Sequence, residues 1–309
     1  MKNPAITDVM EPGSTFKIVT AASALNEQKV RPDTTIFCEN GLWNYGGRPL
    51  HDHHGYGELS VQDILVKSSN IGAAKLGIQL GDQRFYEYVR KFGFGEKTSV
   101  NLPGEIRGQV PLPYNWDKLT ITRMPMGQSV AATPLQITNA MCTIANGGTL
   151  MFPQIVREIV HDDGTMSYPP REMRRVVSKK AAEEVREALI RVVSPKGTAA
   201  LGRVAGFKVA GKTGTAQKRD EHGKMAHEEY VVSFVGFLPA DDPAFVILVL
   251  LDEAQTKPNE YYGGLVAAPI FSRVAEKAAR YLNLQPTEEN LPPGSVISRN
   301  DSIHAARDQ

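Results

Sequence analysis

The chain has 309 residues, enough to bury the core of one large domain or two ordinary ones, and its 35 Lys and Arg against 34 Asp and Glu leave a net charge of +1. No global field therefore favours nucleic acid or an anionic membrane as a partner. The longest aliphatic run, VILVLL at 246–251, falls far short of the ~18 residues a membrane span needs, and Pro4, Asp8 and Glu11 stand where a signal peptide has its apolar core, so the stretch reads as free of anchor and export signal.

Taken in chain order, STFKIVTAASALNE predicts a helix starting at Ser14, with apolar residues at 16, 18, 19, 22 and 25 after Pro12-Gly13. Residues 32–58 are polar, aromatic and Gly-rich, which predicts short strands or turns. Helical patterns return at 60–80 and 83–92, then at 133–148, with Pro134 in the first turn and Gly147 at the end, and at 178–193. The pattern then changes to strands at 207–217, 229–238 and 244–252, followed by a helix over 267–282. Helices followed by consecutive strands on short turns predict an α+β fold with an antiparallel sheet. The Pro/Gly-bearing polar tail, 286–309, is expected to be disordered.

Several groups have a plain structural reading. Cys38 and Cys142 form no metal or redox spacing, and Cys142 reads as a small core side chain. His51, Asp52, His53 and His54 read as a polar loop rather than a metal site, with Asp52 as a hydrogen-bonding residue. Met124, Met126 and Met141 read as core or cleft wall, and Arg174, Arg175, Lys179 and Lys180 as solvated surface charge.

Gly206, Gly211, Lys212 and Thr213 spell the phosphate-loop pattern G-x-x-x-x-G-K-T, and VILVLLDE at 246–253 resembles a magnesium-holding strand. A phosphate loop must follow a strand and open a helix. Here residues 207–210 read as strand, and AQKRDEHGK after KTGT offers no apolar helix face. VILVLLDE reads instead as a buried strand running into a surface turn.

Three short motifs fit a different chemistry. Ser14-Thr15-Phe16-Lys17 opens a helix as S-x-x-K, which puts serine and lysine on one face beside the positive helix end. Ser68-Ser69-Asn70 is S-x-N at the start of another helical run, although Ser298-Arg299-Asn300 in the tail spells the same pattern. Lys212-Thr213-Gly214-Thr215 lies on a strand, where alternation sends Lys212 and Gly214 to one face and both threonines to the other. Gly214 would let a substrate backbone approach.

In this order and spacing the motifs resemble the penicillin-binding transpeptidases of class B, which include cell-division and sporulation enzymes, over about residues 5–283. EPGSTFK, GQSVAATPLQITNAMCTIANGG, AGKTGTAQ and SFVGFLPADDPAF carry the likeness, and His51-Asp52 with Lys67-Ser68-Ser69-Asn70 resembles the division branch. The resemblance implies a β-lactamase-like fold, an antiparallel sheet flanked by helices. It implies Ser14 as nucleophile toward a D-alanyl-D-alanine stem peptide, Lys17 as its proton acceptor and Ser68 as a proton relay. It further implies Asn70 on the peptide backbone, and Lys212, Thr213 and Thr215 on the terminal carboxylate. Backbone amides of Ser14 and Thr215 would form the oxyanion hole. No cofactor is implied; β-lactams are implied as inhibitors, a glycosyltransferase and divisome proteins as partners, and the outer face of the cytoplasmic membrane as the location.

The family also has two sheet strands upstream of S-x-x-K. The expectation is therefore a domain over 1–285 that is incomplete at its N-terminus and has an exposed sheet edge. That leaves open a non-catalytic β-lactam-binding module and a β-lactamase-like hydrolase.

Overall fold

The computed structural model describes residues 2–219, 225–256 and 261–287. A short helix α1 (Pro4–Thr7) and a 3₁₀ turn (Gly13–Phe16) lead into α2 (Lys17–Asn26). The first nine residues of α2 are all buried, so this is an interior helix wrapped on every side. Phe16 anchors its start, with its ring 4.8 Å from Phe94 and edge-on to Phe85.

The polar segment forms short strands, as its turn chemistry predicts. β1 (Thr35–Phe37) pairs antiparallel with β4 (Glu58–Ser60), and between them β2 (Leu42–Tyr45) and β3 (Arg48–His51) make a hairpin around Gly46-Gly47. The run predicted helical over 60–80 is two helices, α3 (Val61–Val66) and α4 (Asn70–Leu80). Serine chemistry makes the break. Ser60 caps α3, Ser69 caps α4, and Ser68 between them has φ +58°.

Next come α5 (Asp82–Lys91), α6 (Thr120–Arg123) and α7 (Pro134–Ala145), the last opened by a Thr133/Gln136 capping box and followed by Gly147 at φ +79°. β5 (Thr149–Met151) pairs with β8 (Glu172–Arg175), and between them projects the exposed hairpin β6 (Glu158–His161) and β7 (Gly164–Ser167). α8 (Lys179–Val193) begins at its Ser178 cap.

The main sheet is antiparallel, with β10 (Met225–Leu238) between β9 (Ala210–Arg219) and β11 (Phe245–Asp252). Helices α9 (Gly263–Val266) and α10 (Ala268–Tyr281) follow. Alternation along β10 divides the interior into two cores. Val235 and Phe237 join α2, α7 and α8, whereas Phe234 and Leu238 join α10 through Phe271 and Ala275. The sheet is thus flanked by helices on both faces, the α+β arrangement expected.

Four expectations are corrected. The first strand starts at Ala210, not 207, because Gly206 at φ +79° and a Val204–Phe207 bridge form a turn before it. VILVLLDE is a half-buried outer strand, and Asp252 pairs with Lys218 at 3.2 Å. Among the described residues no strand pairs with its outer edge. Arg174 is not solvated surface charge: its guanidinium donates to the Lys91 and Arg90 carbonyls at the end of α5 and pairs with Glu96. Cys142 is half-buried, whereas Cys38 is the fully buried thiol. The three methionines are core or near-core as read, and Lys179 and Lys180 are exposed. The tail, with its second S-x-N, lies outside the described residues apart from 286–287.

Phe271 is fully buried with its ring 4.8 Å from Phe234. Phe271→Ala is expected to destabilise the fold by about 3–5 kcal/mol through lost burial and a cavity, read as a lower denaturant midpoint at unchanged slope.

Candidate active site

The backbone approaching Ser14 is held by contacts that only glycine permits. Gly13 has φ +55° and donates its N–H to the Gly127 carbonyl at 3.2 Å. Gly127 has φ +85°, and a Cβ there would stand 2.1 Å from the Gly13 oxygen. On the other side a Cβ on Gly13 would meet the Thr215 carbonyl at 3.1 Å. The serine turn is therefore pressed between the loop at 127 and strand β9. Thr15 Oγ1 donates to the Pro12 carbonyl at 2.7 Å and closes the turn.

Because this turn is 3₁₀ rather than α, residues three apart eclipse. Lys17 Nζ accordingly lies 3.0 Å from Ser14 Oγ. The same nitrogen reaches Ser68 O at 2.5 Å, Ser68 Oγ at 3.2 Å and Asn70 Oδ1 at 2.8 Å. From the sheet, Lys212 Nζ donates to Ser68 Oγ at 3.0 Å and to Thr213 O and Oγ1 at 3.3 Å each. Ser68 thus stands between two lysines. Its left-handed backbone turns it into the cleft at the break between α3 and α4.

Both lysines are within 1% of complete burial. Burial pushes Lys17 down to about 7, partly opposed by the nearby Asp52 charge. Lys212 lies well below the ordinary lysine range, first through burial and then through repulsion from Lys17. Asp52 accepts from Ser69 Oγ at 2.6 Å, from the Ile71 N–H at 3.1 Å and from the Asn70 N–H. It therefore sits on the positive end of α4. The Asn70 side chain donates to the His51 carbonyl at 2.9 Å.

The three predicted segments converge, with differences in detail. Lys212 faces Ser68 and Thr213 and is buried behind the threonines, not laid open to solvent. Gly214 serves the protein's own packing: a Cβ there would meet Ser233 Oγ at 2.3 Å and Thr15 Cγ2 at 2.9 Å, so its space is already taken by the serine turn. Thr215 Oγ1 accepts from the Gly263 N–H at 3.4 Å, which ties α9 to the site. Asn70 has one lone pair and one N–H committed within the protein, leaving the second of each. The phosphate-loop reading fails on position, since Lys212 is within β9 and the strand continues to Arg219.

Sequence reasoning missed Gly127, whose role depends on a contact with Gly13 more than a hundred residues away, and the electrostatic hold of Asp52 on Lys17. Among the described residues no group of three His, Cys, Asp or Glu could hold a metal ion. None of the described helices is long and apolar enough to cross a membrane.

Helices on both faces of an antiparallel sheet, with a lysine-paired serine at the start of the central helix, define an α+β domain of the serine–lysine type. A family model described as the penicillin-binding protein transpeptidase domain matches residues 1–276, and the chain belongs to that family. It is 34% identical over 95% of its length to penicillin-binding protein PbpB of Mycolicibacterium smegmatis, covering 46% of that protein. Stage V sporulation protein D of Bacillus subtilis is 35% identical over 94% of the chain, with 45% of its own length covered. The chain thus spans just under half of these relatives. Among solved structures, the TP domain of Burkholderia pseudomallei penicillin-binding protein 3 superposes with a TM-score of 0.85 at 35% identity, covering 93% of this chain and 84% of that one. Penicillin-binding protein 3 of Mycobacterium tuberculosis, solved with aztreonam, gives 0.83 at 34% identity, with 93% and 66% covered.

Asp52→Asn removes the charge that favours protonated Lys17. The Lys17 midpoint is expected to move acid-ward from about 7, with stability falling by about 1–3 kcal/mol from the weakened helix cap. NMR titration of lysine-labelled protein reads the midpoint; an alkaline shift would contradict the assignment.

Proposed function

We propose that this domain is the acylating part of a serine D,D-transpeptidase that crosslinks peptidoglycan stem peptides and is inhibited by β-lactams. The observation that carries the reading is the 3.0 Å contact between Ser14 Oγ and a fully buried Lys17 whose midpoint lies near 7. A neutral amine at that distance accepts the serine proton at physiological pH, which a solvated lysine does not.

In the proposed sequence Ser14 Oγ bonds to the carbonyl carbon of the penultimate D-alanine. The proton moves to Lys17 and then through Ser68 to the departing amine, and the C–N bond to the terminal D-alanine breaks. Thr213 and Thr215 meet the terminal carboxylate, with Lys212 supplying positive charge from behind. Asn70 offers its remaining N–H to the peptide backbone, and the amides of Ser14 and Thr215 face the developing oxyanion. A second stem peptide's amine then takes the acyl group. The likeness to stage V sporulation protein D and to PbpB supports a septal or sporulation role; a glycosyltransferase and divisome proteins as partners, and the extracytoplasmic face of the membrane as the location, belong to the same proposal.

Labelling of the purified protein by a fluorescent penicillin is expected at Ser14, located by mass spectrometry of the adduct, and absent in Ser14→Ala. An adduct that releases within minutes as penicilloate would point to a hydrolase instead. Lys17→Ala is expected to slow acylation by about 10²–10⁴-fold.

Acylation should also follow neutral Lys17. Below the midpoint of about 7 the second-order rate constant is expected to fall about tenfold per pH unit, and above it to level off. A rate that rises toward acid would reject Lys17 as the acceptor.

A further inference from the structure

Three aromatic rings gather beside α4. Phe37 ends β1, and Trp43 and Tyr45 alternate along β2 onto one face of its hairpin. The Lys75 ammonium, on α4, lies 5.0 Å from the Trp43 ring centroid and 5.8 Å from that of Phe37, and Tyr45 stands 4.8 Å from Trp43. Phe37 is 44% exposed and the other two rings are half-buried, so the cluster meets solvent. Lys75 donates to the Phe37 carbonyl at 2.8 Å and to the Glu39 carboxylate at 2.5 Å, which sets an ion pair among the rings. The turn that supplies Glu39 is strained. Glu39, Asn40 and Gly41 are left-handed in succession, at φ +53°, +51° and +89°, and only the third is glycine. Such backbone persists where its surroundings hold it, and it concentrates at ligand sites. Here the Gly41 carbonyl accepts the Asp52 N–H at 3.0 Å, and a Cβ on Gly41 would meet the His54 carbonyl at 2.6 Å. The turn is thus fastened to the loop whose Asp52 caps α4 at Asn70 and Ile71. Lys75 follows Asn70 by five residues, about 8 Å along the helix axis. The ring cluster is therefore continuous with the candidate cleft.

We propose that Phe37, Trp43, Tyr45 and the Lys75–Glu39 pair form a platform for the sugar strand that carries the stem peptide, a β-linked chain of N-acetylated amino sugars. This rests on the transpeptidase reading given above, in which the peptide taken at Ser14 is attached to such a strand. Four extended residues span at most about 14 Å, so a stem peptide reaching Ser14 would leave its sugar over surface close to the cleft. The C–H faces of β-linked pyranose rings stack on aromatic rings, and their hydroxyl and acetamido groups exchange hydrogen bonds with polar groups between those rings. Lys75, Glu39 and the exposed Asn40 supply such groups. The ion pair also argues against an apolar protein surface as the occupant, which would strip it of water without replacing the lost hydrogen bonds. A polyhydroxylated strand replaces them.

The test is an NMR titration of the full chain with tetra-N-acetylchitotetraose, a peptide-free strand of the same linkage. The indole N–H of Trp43, identified as the signal lost in Trp43→Phe, is expected to shift saturably with half-saturation below about 1 mM. That of Trp116, the other tryptophan, should stay in place. Phe37→Ala and Tyr45→Ala are each expected to weaken binding by about fivefold or more, and Phe37→Tyr, which keeps a ring, to stay within about twofold of the parent. An unmoved Trp116 signal in each variant checks that the fold is kept. Maltotetraose, whose α-linked rings coil instead of lying flat, should give no saturable shift. No Trp43 response by about 10 mM sugar, an equal response to maltotetraose, or alanine variants that bind like the parent would overturn the platform. Labelling by a fluorescent penicillin separates the two readings. A protein that labels at Ser14 but does not bind the sugar loses the platform alone. One that binds the sugar without forming a Ser14 adduct overturns the acyl-enzyme reading, and with it the claim that the sugar belongs to the substrate.

Discussion

One serine hydroxyl organises this domain: Ser68 Oγ lies 3.2 Å from the Lys17 nitrogen and 3.0 Å from the Lys212 nitrogen, with both lysines buried. Two ammonium groups that close, out of water and without a carboxylate in contact, would be costly. Burial therefore holds each lysine below its ordinary range, and the Lys17 charge lowers Lys212 further. A carboxylate arriving at Thr213 and Thr215 would supply the missing negative charge beside Lys212. In the proposed reaction a charged Lys212 would favour neutral Lys17, the form that would accept the Ser14 proton. Under the proposed reading, ligand recognition and nucleophile activation would be coupled through the Ser68 hydroxyl that both amines contact.

The backbone is bent to make that arrangement possible. Ser68 takes a left-handed conformation, and the helical run around it breaks into α3 and α4, each with its own serine cap. Asp52 then compensates for the break: one carboxylate takes the Ser69 hydroxyl and two of the exposed N–H groups of α4. Gly72 lets α4 start close to α3, since a Cβ there would stand 2.5 Å from Ile64 Cγ1. On the opposite side Gly13, Gly127 and Gly214 allow the serine turn to press against both its neighbours. Strain at the site is therefore offset by helix caps and by close packing around it.

What was legible in the sequence was local. Pro134 at a helix start, Gly147 at its end and the alternation of the three strands each obey rules that operate within a few residues, and those elements formed nearly where predicted. The order of S-x-x-K, S-x-N and K-T-G pointed to one site because a shared lysine–serine chemistry explains all three. What was not legible depends on partners far along the chain. Arg174 looked like surface charge because its acceptors, the carbonyls ending α5, lie more than eighty positions earlier. Gly214 looked like room for a ligand, yet Thr15 fills that room. Asp52 was read as a hydrogen-bonding residue, and it is one, but nothing in a linear reading places it over α4.

The same distinction explains how one spelling can suit two chemistries. In a phosphate loop the lysine follows a flexible glycine-rich turn and a helix N-terminus gathers the anion with its free N–H groups. Here the chain on both sides of Lys212 is committed to strand pairing, with Val235 opposite Lys212 and Ser233 opposite Gly214. Its amides are not gathered at a helix end, so in the proposed reading an anion would be met by side-chain hydroxyls along the strand and by a lysine standing behind them. That lysine is buried with Ser68 and its neighbour Thr213 as hydrogen-bond partners, and Ser68 stands at the helix break that Asp52 stabilises. The strand motif therefore takes its chemical meaning from residues more than 140 positions earlier in the chain.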